Sequence, residues 1–259
     1  MLTLSNYLFR LFCAVTGCLA PLLLVSASLA QEDDKPVIKV ASIIGVIPGS
    51  TTKILLRGHK FDDAKEVKCS DGKSMAKLVG QGNADNLNMQ DAKKIGDRKV
   101  EIELIVPADA PTGELGLIVV TGKGESEPYL LFVGGDLPVI EEKEGNDGFR
   151  QAQAIAVPQI INGTIHADRN VDVFAIDAQA NQKLHCEVIA ARRGSNLDAI
   201  LSLYNEQGVL QATNDDVADS TDAQFDFVVP RAGKYFLVLQ DAHDLGGQAH
   251  PYRLIVRPN

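Results

Sequence analysis

Through residues 37–134 the hydrophobic positions come in short runs rich in Val, Ile and Leu, each broken off by turn residues. Runs at 52–56, 100–106, 115–120 and 129–133 predict strands. Pro48-Gly49, Asp71-Gly72, Pro111-Thr112-Gly113 and Gly122-Lys123-Gly124 predict the turns between them. The polar stretch 81–94 predicts a loop or a single helical turn. A second series follows at 171–176, 183–190, 199–204, 209–212, 224–229, 235–239 and 252–256. Asn205-Glu206-Gln207-Gly208 and Pro230-Arg231-Ala232-Gly233 fall at hairpin positions. Strands at this spacing, without sustained helical periodicity, predict an all-β chain of two β-sandwich domains in tandem, over 37–135 and 140–257.

The first thirty residues follow a different rule. Met1 to Arg10 carries one positive charge, the stretch to Val25 is almost wholly apolar, and Ser28-Leu29-Ala30 ends it with small residues at the two positions a signal peptidase reads. This predicts a signal peptide over 1–30 and a secreted or periplasmic protein. The apolar stretch is short for a membrane span, and Pro21 interrupts it. The whole chain has net charge −9; removing residues 1–30 takes away one Arg and no acid, which leaves −10. Such a charge, with no basic cluster among aromatics, excludes nucleic acid as a partner. Two cysteines remain, Cys69 and Cys186, too few for a disulfide framework. Cys186 shares a strand face with Leu184 and Val188 and reads as a buried apolar residue.

Residues 141–147, between the two series, concentrate the candidate chemistry. Glu142 and Glu144 stand two apart, so an extended backbone directs both carboxylates to one side and Lys143 to the other. Gly145 lets the chain bend, and Asn146-Asp147 adds two further oxygen-bearing side chains. A hard cation such as Ca²⁺ takes six to eight oxygens, several of them charged. A solvated acidic linker has the same composition, and the residues alone leave both readings open. A second cluster, Asn214-Asp215-Asp216 with Asp219 and Asp222, lacks the glycine and closing glutamate of an EF-hand and reads as turn formers. Arg192 and Arg193, near Asp198, suggest an ion pair bracing the sandwich.

Ile47-Pro48-Gly49, the run Ile54-Leu55-Leu56-Arg57-Gly58-His59-Lys60-Phe61, and Val106-Pro107 before Pro111-Thr112-Gly113 resemble the immunoglobulin-like IPT/TIG type of domain. In the second unit the ordered motifs are Glu142-Lys143-Glu144-Gly145-Asn146-Asp147, Gly163-Thr164-Ile165, Val171-Asp172-Val173-Phe174 and Arg193-Gly194-Ser195-Asn196-Leu197-Asp198. Asn214-Asp215-Asp216, Gly233-Lys234-Tyr235-Phe236 and Tyr252-Arg253-Leu254 complete the series. Together they resemble a bacterial pre-peptidase C-terminal domain, and the chain as a whole is similar in style to secreted planctomycete proteins. The resemblance implies a jelly-roll-like sandwich with calcium held by Glu142, Glu144, Asn146, Asp147 and Asp172, the last placed more firmly than Asp168 or Asn170. Gly145 stands where the family usually has proline, which loosens the opening segment.

Catalytic motifs are missing. The five histidines form no zinc pattern, there is no Gly-x-Ser-x-Gly elbow, and Gly122-x-Gly124 lacks the rest of a phosphate loop. A triad built in space, for instance from Ser195, His243 and Asp241, would need the fold to assemble it. The expectation is a secreted non-enzymatic binding or adhesion module, calcium-stabilised, contacting extracellular protein or polysaccharide. The alternatives are a structural spacer of an envelope assembly or an accessory subunit of a secreted hydrolase. Trp is absent and Tyr is scarce, which favours protein over carbohydrate as the ligand.

Overall fold

The first strands are β1 (Val37–Ala41), β2 (Gly45–Val46), β3 (Thr51–His59), β4 (Glu66–Cys69), β5 (Met75–Asn83), β6 (Arg98–Ile105), β7 (Gly113–Thr121), β8 (Gly124–Glu125) and β9 (Tyr129–Val133). In β6 the buried Val100, Ile102 and Leu104 alternate with the outward Lys99, Glu101 and Glu103, the period-2 pattern of a half-buried strand. The sheet runs β1-β3-β6-β5-β4-β7-β9-β2, with β8 on β7. Its outermost strands, β1 and β2, are joined by only Ser42–Ile44, so the sheet must curl around one core, which includes Leu56, Phe61, Ile102, Leu117 and Leu131. This computed structural model describes residues 34–87 and 89–259; the signal expected over 1–30 lies outside them. No helix among the described residues is long and apolar enough to cross a membrane.

The second unit contains β10 (Val139–Glu141), β11 (Gln153–Ala154), β12 (Gln159–Thr164), β13 (Val171–Ala178), β14 (Lys183–Ile189), β15 (Ala199–Asn205), β16 (Leu210–Asn214), β17 (Gln224–Val228), β18 (Gly233–Asp241) and β19 (Pro251–Pro258). Two five-stranded sheets, β10-β12-β19-β14-β17 and β11-β13-β18-β15-β16, enclose a core drawn from both. Leu184, Cys186 and Val188 from one sheet meet Phe174, Leu201 and Leu237 from the other. The fold is therefore all-β, with two sandwiches in tandem.

All eleven expected strand runs fall on strands, with ends shifted by a few residues. The other strands, β1, β2, β4, β5 and β8 in the first unit and β10, β11 and β12 in the second, are additions. Strand β5 reaches Asn83, into the stretch expected to be a loop, and the helical turn there is a single turn, α1 (Ala92–Ile95). The Asn205 turn forms, with Gly208 N–H donating to the Asn205 carbonyl at 2.9 Å.

The sandwiches touch at several points. The guanidinium groups of Arg193 and Arg253 each lie 4.3 Å from the centre of the Phe132 ring. Arg253 Nη2 donates to the Gly134 carbonyl at 2.9 Å, and Tyr129 hydroxyl donates to the Arg193 carbonyl at 2.9 Å. Ala249 packs with Val40 and Ile95 of the first unit.

Cys69 and Cys186, the two cysteines among the described residues, are free, each against a different core. Burial, with a smaller contribution from Asp226, pushes the Cys186 thiol up to about 12, and burial with Asp71 pushes Cys69 up to about 11. Because the thiolate is the reactive form, native protein at neutral pH should react slowly with a disulfide reagent. Denaturant should make the Cys69 and Cys186 thiols react fast; rapid titration of either in native protein would contradict this burial.

Candidate metal centre

The acidic segment crosses from one sheet of the second sandwich to the other. At its start, β10 lies parallel to β12, with Glu141 opposite Asn162, and Glu142 N–H donates to the Asn162 carbonyl at 2.8 Å. Gly145 then turns the chain at φ +93°, a conformation closed to proline, whose ring holds φ near −65°. Past the turn, the Asn146 carbonyl accepts from Val173 N–H at 3.0 Å, which fastens the segment to β13 beside Asp172.

This crossing brings Glu142, Glu144 and Asp172 together, with carboxylate oxygens within 4.8 Å of one another. Asp172 is fully buried, and its Oδ2 accepts from the Tyr252 hydroxyl at 2.6 Å. Its Oδ1 has no protein partner, nor has Glu142 Oε1, nor either side-chain amide atom of the 1% exposed Asn146. Unpaired buried polar atoms are costly. Burial, then the charges of Asp172, Glu144, Asp147 and Glu141, pushes the Glu142 carboxyl up to about 8. Burial also pushes Asp172 up to about 7, with Glu144 and Asp147 adding to the rise and the Tyr252 hydrogen bond and His166 opposing it.

The remaining residues take secondary positions. Glu144 Oε2 lies 2.7 Å from His166 Nδ1. Asp147 stands outside the group of three: its carboxylate accepts from Asn170 Nδ2 at 3.0 Å, although its charge is felt by both Glu142 and Asp172. Asp168 Oδ1 accepts from Gly246 N–H at 3.2 Å. Tyr252 and Gly163 complete the site and were not singled out as site residues from sequence. A Cβ on Gly163 would lie 2.4 Å from the Tyr252 ring and 2.8 Å from Glu142 Cβ, so only glycine leaves both room. Tyr252 had a readable signal: it shares the core face of its strand with Leu254 and Val256, and a buried tyrosine hydroxyl needs a partner.

The donor set fits a hard divalent cation. Three carboxylates supply charged oxygens, and the unpartnered Asp172 Oδ1, Glu142 Oε1 and Asn146 Oδ1 are the kinds of atom such an ion satisfies. Among the described residues no other group of His, Cys, Asp and Glu ligand atoms is as tightly gathered.

The second acidic cluster is put to structural use. The Asp222 carboxylate is buried, its Oδ1 accepting from the backbone of Ala190 and Ala191 at 2.9 and 2.6 Å. Asn214 Oδ1 accepts from Gln224 N–H at 2.9 Å. The ion pair expected at Asp198 does not form. The turn over Ala191–Arg193 sends Arg192 to Glu187 and Asp222 and Arg193 to Glu114 of the first unit, while Asp198 faces His243. Ser195, His243 and Asp241 form no triad. Ser195 Oγ donates to the Ala249 carbonyl, and Asp241 accepts backbone N–H groups of Asp198, His243 and Leu245.

Among solved structures, the chain is similar to the pre-peptidase C-terminal domain of a collagenase from Bacillus anthracis, at 18% identity over 41% of this chain and 94% of that one, with TM-score 0.34. It is also similar to PliG, a periplasmic inhibitor of g-type lysozyme from Aeromonas hydrophila, at 14% identity, 42% and 99% coverage and TM-score 0.31. A third is SGBP-B of the mixed-linkage glucan utilization locus of Bacteroides ovatus, at 8% identity, 86% and 74% coverage and TM-score 0.27. A search of curated proteins gives no match. Residues 170–241, from the residue before the Asp172 strand to the end of β18, match the family model of the bacterial pre-peptidase C-terminal domain.

Proposed function

We propose that the chain is an exported, non-catalytic binding module of two domains, 37–135 and 140–257, whose second domain is stabilised by calcium. Glu142, Glu144 and Asp172 supply the charge, with Asn146 as a neutral oxygen ligand and Asp147 adjoining. The observation that carries this reading is the set of buried, unpartnered oxygens on Glu142, Asn146 and Asp172, gathered where the opening segment crosses between sheets. Calcium would neutralise the repulsion among the three carboxylates and fix the segment in place. The first domain is IPT/TIG-like and serves as a contact module. The ligand is an extracellular protein or polysaccharide, protein being favoured by the scarcity of aromatic platforms.

Pull-down against washed cell envelope and insoluble polysaccharides, with calcium and with chelator, tests this. The expected result is retention on a proteinaceous fraction, lost on chelation, with no turnover of peptide, ester or glycoside substrates above buffer. A spacer role would give no retention on any fraction. Turnover abolished by replacing Ser195 or one of the histidines would overturn the non-catalytic reading.

A further inference from the structure

We infer that metal occupancy at the carboxylate site and the seating of the two sandwiches on each other are coupled through strands β10, β12 and β19. The inference rests on the calcium reading above and goes beyond it, because it assigns the site a role in the arrangement of the whole chain.

The two features lie one register step apart. Strands β12 and β19 pair Gly163 with Tyr252 and, next along, Asn162 with Arg253. Successive strand residues face opposite sides of a sheet. The inward pair serves the metal centre: Tyr252 holds Asp172, and Gly163 leaves space for Tyr252 and Glu142. The outward pair serves the interface. Arg253 Nε donates to Asn162 Oδ1 at 3.0 Å, its Nη2 reaches the Gly134 carbonyl, and its guanidinium covers Phe132.

Strand β10 ties the two pairs together. Asn162 Nδ2 donates to Glu141 Oε1 at 3.4 Å, and the Asn162 carbonyl accepts the N–H of Glu142 itself. Repulsion among Glu142, Glu144 and Asp172 therefore acts on the backbone that holds Asn162 and, through it, Arg253. On the other side Arg193 meets the same Phe132 ring and pairs with Glu114, so the ring is gripped by two arginines of the second sandwich. Metal that fixes β10 on β12 fixes one of those grips.

Coupling between sites is reciprocal: whatever factor metal contributes to seating, seating contributes to metal affinity. Calcium titration of the full chain by calorimetry, alongside Phe132→Ala, should show affinity lowered about 5-fold or more in the variant, the lower end of ordinary coupling. Arg193→Gln, which leaves the metal centre, Phe132 and Arg253 in place, should lower it in the same direction and serves if Phe132→Ala folds poorly. Spin labels at the exposed Asp109 and Glu206 should give a narrow distance distribution with calcium and a broader one after chelation. Equal calcium affinity in all three proteins, with an unchanged distance distribution, would overturn the coupling and leave the metal site standing. No saturable calcium binding in any of them would overturn the metal reading, and the coupling with it.

Discussion

Chelated protein should lose stability as the pH rises from about 5 to about 8, and calcium should remove that loss. Asp172 and Glu142 are pushed from 3.8 to about 7 and from 4.5 to about 8. A carboxyl whose folded pKa is raised binds more protons folded than unfolded, so stability falls with rising pH between the two values. Its contribution is fully present below about pH 4 and gone above about pH 8. Each tenfold change in proton affinity is about 1.4 kcal/mol, and the two groups titrate as one coupled site. The loss over this window is on the order of 4–5 kcal/mol from Asp172, with the half-buried Glu142, discounted for solvent, adding less. Bound calcium replaces those protons, so its binding near pH 7 should release protons and give a calorimetric enthalpy that varies with buffer. Denaturant unfolding at several pH values with EDTA checks the slope. A chelated protein whose stability rises through the same window would show that the carboxylates are not forced together.

At fixed neutral pH, calcium should raise the melting temperature by several degrees, and EDTA should reverse the rise. Extracellular modules bind with dissociation constants of roughly 10⁻⁴–10⁻³ M. A few millimolar calcium then stabilises by about 1–2 kcal/mol, which is several degrees for a chain of this size. Magnesium should do much less, because it sheds water reluctantly and demands tighter octahedral geometry. Asp172→Asn and Glu144→Gln should each abolish most of the calcium response. They should also make the chelated protein more stable than the parent at pH 8, since each removes one of three mutually repelling charges. Gain without metal together with loss of the metal response separates a cation site from an ordinary structural carboxylate. Asp219→Asn, in the second acidic cluster, should leave the response intact. Differential scanning calorimetry in matched ionic strength checks all of these, and equal shifts with calcium, magnesium and sodium would mean screening alone.

The strands that could be read from sequence are those whose burial follows their own alternation, such as Val100, Ile102 and Leu104 in β6 or Leu184, Cys186 and Val188 in β14. Strand β12 could not, because Asn162 and Gly163 have poor strand propensity. Each is there for a distant partner: Asn162 for Arg253, and Gly163 for Tyr252 and Glu142. Local composition cannot report such contacts. The same division holds at the candidate site. Glu142 and Glu144 were legible from their spacing, and Asp172 only through the family resemblance, since thirty or so residues separate it from them. Asp147 looked equivalent to its neighbours in sequence, yet beyond the turn at Gly145 its carboxylate accepts from Asn170. Arg192 and Arg193 misled for a related reason. Asp198, the acid expected to pair with them, lies beyond the turn they belong to, whereas Arg192 meets Glu187 just before that turn, and Asp222 and Glu114 reach Arg192 and Arg193 across the fold.

Equilibrium dialysis against labelled calcium at neutral pH tests the central claim most directly. Saturable binding of about one ion per chain, lost in Asp172→Asn and retained in Asp219→Asn, is the predicted result. Binding that fails to saturate, or that survives Asp172→Asn unchanged, would contradict a cation site built from Glu142, Glu144 and Asp172.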